Sequence, residues 1–171
     1  MLGSGLLAML CAGMAWVANL HINLTPSIPR RLYQATPQSP SRHDVVLACL
    51  PQPFAALASE RGYVAAGACP GHLMPVGKVV YGVPGDTVEI TTRGIRVNGR
   101  LLPQSRALSQ DDQHRKLPHV PEGTIVLDSN HWWLDAPHAR SLGSRYVGPF
   151  PRQAILTTLR PLWLVAGDTR R

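Results

Sequence analysis

The stretch KVVYGVPGDTVEITTRGIRVNGRLL, residues 78–102, predicts the fold class. Its VEI and IRV segments are β-branched or alternate apolar and polar residues with a period of two, which is typical of strands. Arg93-Gly94 supplies a turn between them, and Asn98-Gly99 is a dipeptide that favours a tight hairpin turn. The stretch therefore predicts strands joined by tight turns.

Regions before and after this stretch support a mainly β domain. HDVVLACLP (43–51) is typical of a short buried strand, and strand character returns in VPEGTIVLD (120–128) and in RYVGPFPRQAILTTLRPLWLV (145–165), which predicts one or two final strands. Residues 103–119 are polar without periodicity, which predicts a surface excursion.

One short helix is predicted between residues 52 and 68. Phe54, Leu57 and Ala58 recur at helical spacing, and Gly62 ends the pattern.

The N-terminus carries the most apolar segment of the chain. Leu2–Leu20 contains no charged residue, and its 19 residues, at about 1.5 Å each, match a bilayer core of about 30 Å. We expect a membrane anchor over residues 1–22 and a single soluble domain over 23–171. A cleaved signal peptide is the alternative, although a basic n-region is absent.

The net charge of +7 comes mainly from arginines that are scattered along the chain. Without a basic helix or interleaved aromatic residues, this distribution does not favour nucleic-acid binding. Anionic lipid or an acidic partner suits it better. The first basic residues, Arg30 and Arg31, follow the apolar segment, which by the positive-inside tendency would place the domain in the cytoplasm.

Cys49 and Cys69 lie in the soluble part of the chain, whereas Cys11 lies in the apolar segment. A bridge between the first two would suit an oxidising compartment, and two unpaired thiols are the alternative. Cys69 and His72 have a spacing known from zinc sites, but a second such pair is absent, so no metal site is predicted.

Lys78 and Lys116 are the chain's two lysines. Seven histidines occur, but no G-x-S-x-G motif supports a Ser-His-Asp triad. A serine nucleophile can instead use a neutral lysine as its base. Lys78 lies beside Val79, Val80 and Val83, an apolar setting that disfavours the ammonium form, whereas Lys116 lies in the polar excursion. At an ordinary pKa near 10.4 only about one lysine in 2,500 is neutral at pH 7, so such burial decides whether Lys78 can act.

Several segments together resemble type I signal peptidases. SIP (27–29) resembles their nucleophile motif, and KVVYGVPGD resembles their lysine motif, K-x-x-x-G-x-P-G-D. DVV (44–46), DTVEITTRGIRVNG, VPEGTIVLDSN and SLGSRYVGPF (141–150) follow in the family's order, so the resemblance covers most of residues 23–156. NLTPSIPRRLY, the two cysteines and the small size resemble the conjugative-transfer (TraF-type) branch, which matures pilin precursors.

This resemblance implies a signal-peptidase-like β domain behind an N-terminal transmembrane helix, with no cofactor. Ser27 would attack the scissile carbonyl, and Lys78 would accept its proton as general base. Thr25 and the Ser27 N–H would stabilise the oxyanion, and Ser141 would orient the lysine amine. The remaining implied roles are structural support by Asp86 and Arg145 and a disulfide between Cys49 and Cys69.

Gly143 departs from the family pattern. Where the family reads S-x-D-S-R, this chain reads SLGSR, so position 143 offers no carboxylate to Arg145. Asp128 or Asp135 could compensate. The alternative hypothesis, for which Gly143 is the best support, is a catalytically impaired, membrane-tethered scaffold of the secretion machinery. A self-cleaving repressor-like Ser/Lys protease is a third hypothesis, which the apolar N-terminus disfavours.

The sequence as a whole predicts a membrane-anchored serine endopeptidase that cleaves exported precursors, foremost a pilin precursor. We give the cysteines and the resemblance more weight than the positive-inside tendency. They predict a single-pass protein of the inner (cytoplasmic) membrane with its catalytic domain in the periplasm. Its expected partners are the precursor and membrane lipid, without nucleic acid. The acyl-enzyme can be resolved by water or by an amine of the same chain, and the sequence leaves both routes open.

Overall fold

The computed structural model describes residues 20–22, 28–29 and 31–164. Their secondary structure is mainly β, as predicted, with two short α-helices and one 3-10 turn at Arg152–Ala154. The strands are β1 (Leu20–Ile22), β2 (Arg31–Thr36), β3 (Val45–Ala48), β4 (Ala66–Cys69), β5 (Val76–Gly82), β6 (Thr87–Thr91), β7 (Gly94–Val97), β8 (Arg100–Leu101), β9 (Gly123–Val126), β10 (His131–Asp135), β11 (Phe150–Pro151) and β12 (Ile155–Leu164). The helices are α1 (Phe54–Glu60) and α2 (Ser144–Val147).

The larger sheet contains seven strands in the order β1-β2-β12-β3-β5-β10-β11. Strand β5 pairs antiparallel with β3 on one side, where Lys78 lies opposite Val46. On its other side β5 pairs antiparallel with β10, where Asp135 lies opposite Val79. The interior of this sheet therefore brings a lysine and an aspartate from distant parts of the chain onto neighbouring strands.

The smaller sheet has the order β8-β7-β6-β9 and contains the hairpins predicted from residues 78–102. Its β7–β8 connection is the Asn98-Gly99 dipeptide, with φ of 50° and 79°. Positive φ at both central residues is the requirement of a type I′ hairpin turn, which explains the residues found there. The predicted strand within VPEGTIVLD is β9, at the edge beside β6.

Apolar side chains cover both faces of the larger sheet. Val46, Val80 and Leu134 belong to the main core cluster on one face. Val45 and Val79 pack on the other face, in the cluster that contains Ile28 and Tyr33. Because strand residues alternate between faces, Lys78 lies on the same face as Val80 and points into the main core.

The predicted helix is α1, which ends just before Gly62 at φ of 65°. A second helix, α2, was not predicted, and the strand expected from Arg145 onward begins only at Phe150. Within the described residues, the expectation of one short helix is therefore corrected to two. The Ser144 hydroxyl accepts a hydrogen bond from the Leu134 N–H, which ties α2 to β10, and Gly148 at φ of 82° ends the helical turn.

The predicted membrane anchor falls almost entirely on residues 1–19, which are outside the described residues. Its expected last residues, Leu20–Ile22, form β1 and pair with Leu32–Gln34 of β2, so the sheet begins inside the segment predicted as anchor. Within the described part of the chain, neither helix has the length and apolar character needed to cross a bilayer.

Candidate active site

Lys78 is held inside the protein by the middle of β5. Only 2% of the residue is exposed, and its Nζ donates a hydrogen bond to the Ser141 Oγ at 2.6 Å. The lysine and the serine are 63 residues apart in the chain, so the fold rather than local sequence brings them together. The resemblance implied that Ser141 orients the lysine amine; the contact agrees with that role, which stays a prediction.

Burial lowers the pKa of Lys78 to about 8. Desolvation is the largest cause, because the ammonium form loses its hydration inside the core. The negative charge of Asp135 raises the pKa and the positive charge of Arg145 lowers it, so the two partly offset each other. With a pKa near 8, about one lysine in ten is neutral at pH 7. A base of this kind is available without any histidine.

Asp135 and Arg145 form a buried ion pair beside the lysine. Arg145 Nη2 lies 2.5 Å from Asp135 Oδ1, and its Nε donates to both carboxylate oxygens at 3.1 Å. Asp135 also accepts a hydrogen bond from the Ala136 N–H at 2.9 Å. Burial raises the pKa of the Asp135 carboxyl, and the Arg145 guanidinium opposes that shift. Of the two carboxylates expected to compensate for Gly143, Asp135 is thus the one that contacts Arg145.

Asp128 has a different partner. Its carboxylate contacts His131 Nδ1 at 2.7 Å at the protein surface, where 65% of the Asp128 side chain is exposed. Asp128 therefore does not compensate for Gly143.

Ser141 lies in the loop of residues 136–143 between β10 and α2. The serine is buried, and its backbone N–H donates to the His138 carbonyl at 3.0 Å. The Asp135–Arg145 ion pair joins the two ends of this loop. The position of the Ser141 hydroxyl thus depends on a turn within the loop and on the ion pair that closes it.

Ser27 and Thr25, the predicted nucleophile and oxyanion donor, lie outside the described residues. The next residue, Ile28, is buried against β5, where a Cβ added to Gly77 would lie 2.8 Å from the Ile28 Cδ1. The Tyr33 hydroxyl donates to the Pro29 carbonyl at 2.9 Å. The residue after Ser27 is therefore packed against the residue before Lys78, a contact that the sequence analysis missed. No local pattern indicated it, because the two residues are 49 positions apart.

Asp86 holds the turn that follows β5. Its carboxylate accepts hydrogen bonds from Arg42 Nη2, the Asn98 side-chain amide and the Val83 N–H at 2.7 to 2.8 Å. Desolvation raises the pKa of Asp86, but hydrogen bonds from Arg42 and Val83 lower it overall. These contacts fix the turn and the start of β6.

The expected bridge between Cys49 and Cys69 is present. The two sulfurs are bonded, with the Cα atoms 5.5 Å apart. The bridge links the residue after β3 to the last residue of β4, and both cysteines are buried in the main core. It joins the lysine-bearing sheet to the segment between α1 and β5.

A surface cavity of about 290 Å³ is lined by residues that follow α1, by the excursion of residues 103–119 and by residues on either side of Ser141, with Asp111 and Arg140 among its lining residues. Neither Lys78 nor Ser141 lines it. Among the residues that the structure describes, no three His, Cys, Asp or Glu side chains cluster as metal ligands would.

Comparison with known protein families identifies the class of protein to which these features belong. Residues 2–163 match the family model described as "Signal peptidase, peptidase S26". The chain belongs to this signal peptidase family, in its TraF-type branch.

Two curated relatives represent that branch. The chain is similar to plasmid transfer protein TraF of Escherichia coli, with 38% identity over 157 residues, 91% of this chain and 89% of the relative. It is also similar to a probable conjugal transfer protein TraF of Sinorhizobium fredii, with 37% identity over 145 residues, 83% of this chain and 76% of the relative. A crystal structure of a signal peptidase I from Enterococcus faecalis is 18% identical, with a TM-score of 0.41 over 73% of this chain and all of that one.

Proposed function

We propose that this protein is a membrane-anchored serine endopeptidase that uses Ser27 as nucleophile and Lys78 as general base. The buried Lys78 amine, hydrogen-bonded to Ser141 and with its pKa lowered to about 8, is the observation that carries this proposal. A solvated lysine would remain charged near neutral pH and could not accept a proton. Family membership supports the same chemistry.

The position proposed for Ser27 rests on that of its neighbour in the chain, Ile28. Consecutive Cα atoms are about 3.8 Å apart, and Ile28 is packed against Gly77, the residue that precedes Lys78. Ile28 belongs to the cluster on the face of the sheet opposite to Lys78, so this packing supports a serine beside β5. The contact of Ser27 with the Lys78 amine is proposed from the family resemblance. Ser27 Oγ attacks the scissile carbonyl carbon while Lys78 Nζ accepts the hydroxyl proton, which gives a tetrahedral oxyanion. The Ser27 N–H and the Thr25 hydroxyl stabilise that oxyanion.

Collapse of the tetrahedral intermediate breaks the C–N bond. The Lys78 ammonium donates its proton to the leaving amine, so the lysine is neutral again and the acyl group is esterified to Ser27. In the second half, Lys78 accepts a proton from the attacking group and then donates it to Ser27 Oγ as the ester C–O bond breaks. Water in this step gives a linear product, whereas the amine of the same acyl chain gives a ring. The Ser141 Oγ holds the lysine amine in place through both halves.

The substrate is a precursor of an exported protein, foremost the pilin precursor of a conjugative transfer system. The names of the two TraF relatives, which refer to plasmid and conjugal transfer, support this assignment. The Cys49–Cys69 bridge supports a periplasmic catalytic domain, because disulfides persist in oxidising compartments. The apolar segment before residue 20 would anchor the domain in the inner membrane, where the precursor is cleaved.

A non-catalytic scaffold was the main alternative because position 143 lacks an acid. The Asp135–Arg145 contact removes that reason, since Arg145 has a buried carboxylate partner despite Gly143. The endopeptidase is therefore the function that the site supports best.

Intact mass spectrometry of a co-expressed pilin precursor tests the proposal. We expect a trimmed product with the wild-type chain and none with Ser27→Ala or Lys78→Ala. Lys116→Ala is the matched control, because it removes the chain's other lysine from an exposed position. A product 18 Da lighter than the linear fragment, one water by the general chemistry of ring closure, would identify cyclisation. Processing that persists in both Ser27→Ala and Lys78→Ala would refute the dyad.

A further inference from the structure

Gly143 is a glycine for reasons of space. Its φ of −133° and ψ of −165° are extended values that any residue adopts, so backbone conformation does not require glycine. A Cβ at this position, however, would lie 2.5 Å from the Asp135 Oδ1 and 2.8 Å from the Leu134 carbonyl oxygen. The Asp135 carboxylate occupies the space into which a side chain at position 143 would project.

The Asp135 carboxylate has a complete set of partners in that space. It is 1% exposed, it pairs with Arg145, and it accepts the Ala136 N–H. Arg145 donates its remaining hydrogen bonds to the carbonyls of Gln104 and Ala136. The ion pair is therefore a buried part of the core, and it closes the loop that contains Ser141.

We propose that Asp135 is a positioning residue of the Lys78 site and replaces the acid that the signal peptidase pattern places at position 143. Asp135 acts through Arg145 and the 136–143 loop, which together hold the Ser141 hydroxyl 2.6 Å from the Lys78 amine. Gly143 is the complementary half of this exchange, because only glycine leaves room for the Asp135 carboxylate. This inference rests on the proposed function of Lys78 and deepens it.

Moving the acid back to position 143 tests the exchange. Asp135→Gly leaves Arg145 without its carboxylate, and Gly143→Asp places a second carboxylate against the first. The double variant Asp135→Gly/Gly143→Asp supplies one carboxylate to Arg145 from the position in the family pattern. Because a Cβ at position 143 would also lie 3.0 Å from the Asp135 Cα, the backbone must shift, and we expect partial recovery.

The four proteins are compared by kcat/KM on a peptide spanning the precursor cleavage site and by urea unfolding. We expect each single variant to lose about 100-fold in kcat/KM, and the double variant to exceed both by about tenfold or more. Unfolding midpoints should follow the same order. A double variant no more active and no more stable than Asp135→Gly alone would overturn the proposal.

A pH profile separates positioning from general support of the fold. The groups facing Lys78 are Asp135 on β10, Arg145 on α2 and the Ser141 hydroxyl, while β3 presents the apolar Val46. Asp135→Asn removes the negative charge of Asp135 and leaves the positive charge of Arg145. The acid limb of kcat/KM should therefore move to lower pH while the maximum falls. Asp128→Asn is the control, because Asp128 is exposed and pairs elsewhere. An unshifted limb would overturn the positioning role.

The unfolding comparison needs no enzymatic activity, which separates this inference from the proposed function. Suppose that the unfolding effects of the two substitutions are non-additive but the wild-type protein cleaves no precursor. That result would refute the endopeptidase and retain the exchange of acid and glycine. If instead the two substitutions have additive effects on unfolding and on activity, and cleavage requires Lys78, the exchange would be refuted and the endopeptidase retained.

Discussion

Lys78 and Lys116, the chain's two lysines, lie in regions with opposite surroundings. Lys78 is in the middle of a seven-stranded sheet, 2% exposed and hydrogen-bonded to Ser141. Lys116 lies in the excursion of residues 103–119 and is exposed. Water stabilises the ammonium form of an exposed lysine, whereas the core destabilises it. Burial, rather than residue type, makes one of the two a candidate base.

The two regions also contain matched acid–arginine pairs. In the core, Asp135 and Arg145 are both almost fully buried. In the excursion, Asp111 Oδ2 lies 2.7 Å from Arg115 Nε, but 36% of the Arg115 side chain is exposed. Although desolvation raises the pKa of Asp111, hydrogen bonds from Tyr63 and Arg115 lower it overall. Each member of the core pair depends on the other for stabilisation, whereas the Arg115 guanidinium of the excursion pair is also hydrated.

The largest expected difference concerns catalysis by the two lysines. Lys78→Ala should lower kcat/KM by roughly 10²–10⁴-fold, because that is the usual contribution of a general base. Lys116→Ala should leave the rate unchanged. Cleavage of a fluorogenic peptide by the purified variants measures both. Equal losses in the two variants would abolish the distinction between the regions.

The second difference concerns stability at the two acids. Removing Asp135 leaves a buried guanidinium uncompensated, so Asp135→Ala should lower the free energy of unfolding by about 3–5 kcal/mol. Asp111→Ala should have a smaller effect, because Arg115 keeps contact with water. Urea unfolding followed by circular dichroism gives both values. A larger loss in Asp111→Ala would show that the core pair is not the more dependent one.

The third difference is a gain in stability at the expense of activity. The folded-state pKa of Lys78 is about 8 against an ordinary value of 10.5, so keeping it protonated in the core costs about 3 kcal/mol. The cost is fully present below pH 8, and wild-type stability rises between about pH 8 and 10.5. Lys78→Met should therefore be more stable than wild type at pH 7, with a gain that shrinks as the pH rises.

Thermal unfolding at several pH values checks this gain. Lys116→Met, which replaces an exposed lysine, serves as the control and should shift little. A Lys78→Met protein that is less stable than wild type at pH 7 would mean that the buried amine is not penalised.

The smallest expected effect belongs to Ser141, the proposed orienting residue of the lysine. Ser141→Ala removes the hydrogen bond to the amine and keeps the base itself, so kcat/KM should fall by about tenfold. Ser59→Ala, an exposed serine of α1, is the matched control. A loss as large as that of Lys78→Ala would assign Ser141 a role in proton transfer, beyond orientation.

Elements with a regular local pattern were predictable from the sequence. Strands β6 and β7 alternate with a period of two, and the Asn98-Gly99 turn needs positive φ values that few other residue pairs adopt readily. Helix α1 shows helical spacing and a terminating glycine. By contrast, α2 spans four residues, too short for a period of 3.6 to be detected, and β10 is an almost uninterrupted buried run, HWWLD, without alternation.

The candidate site was predictable in part. The motif around Lys78 and its apolar neighbours indicated a buried lysine, because adjacent valines are visible in the sequence. The choice of Asp135 over Asp128 as the partner of Arg145 was not predictable, since it depends on how α2 packs against β10. The packing of Ile28 against Gly77 was missed because it joins residues 49 positions apart.

The pH dependence of kcat/KM for the wild-type chain tests the central claim most directly. If neutral Lys78 is the base, the rate should rise tenfold per pH unit on the acid side and level off above an apparent pKa of about 8. An acid limb near the ordinary lysine value of 10.5, or a rate independent of pH between about 6 and 9, would contradict the assignment of Lys78 as the general base.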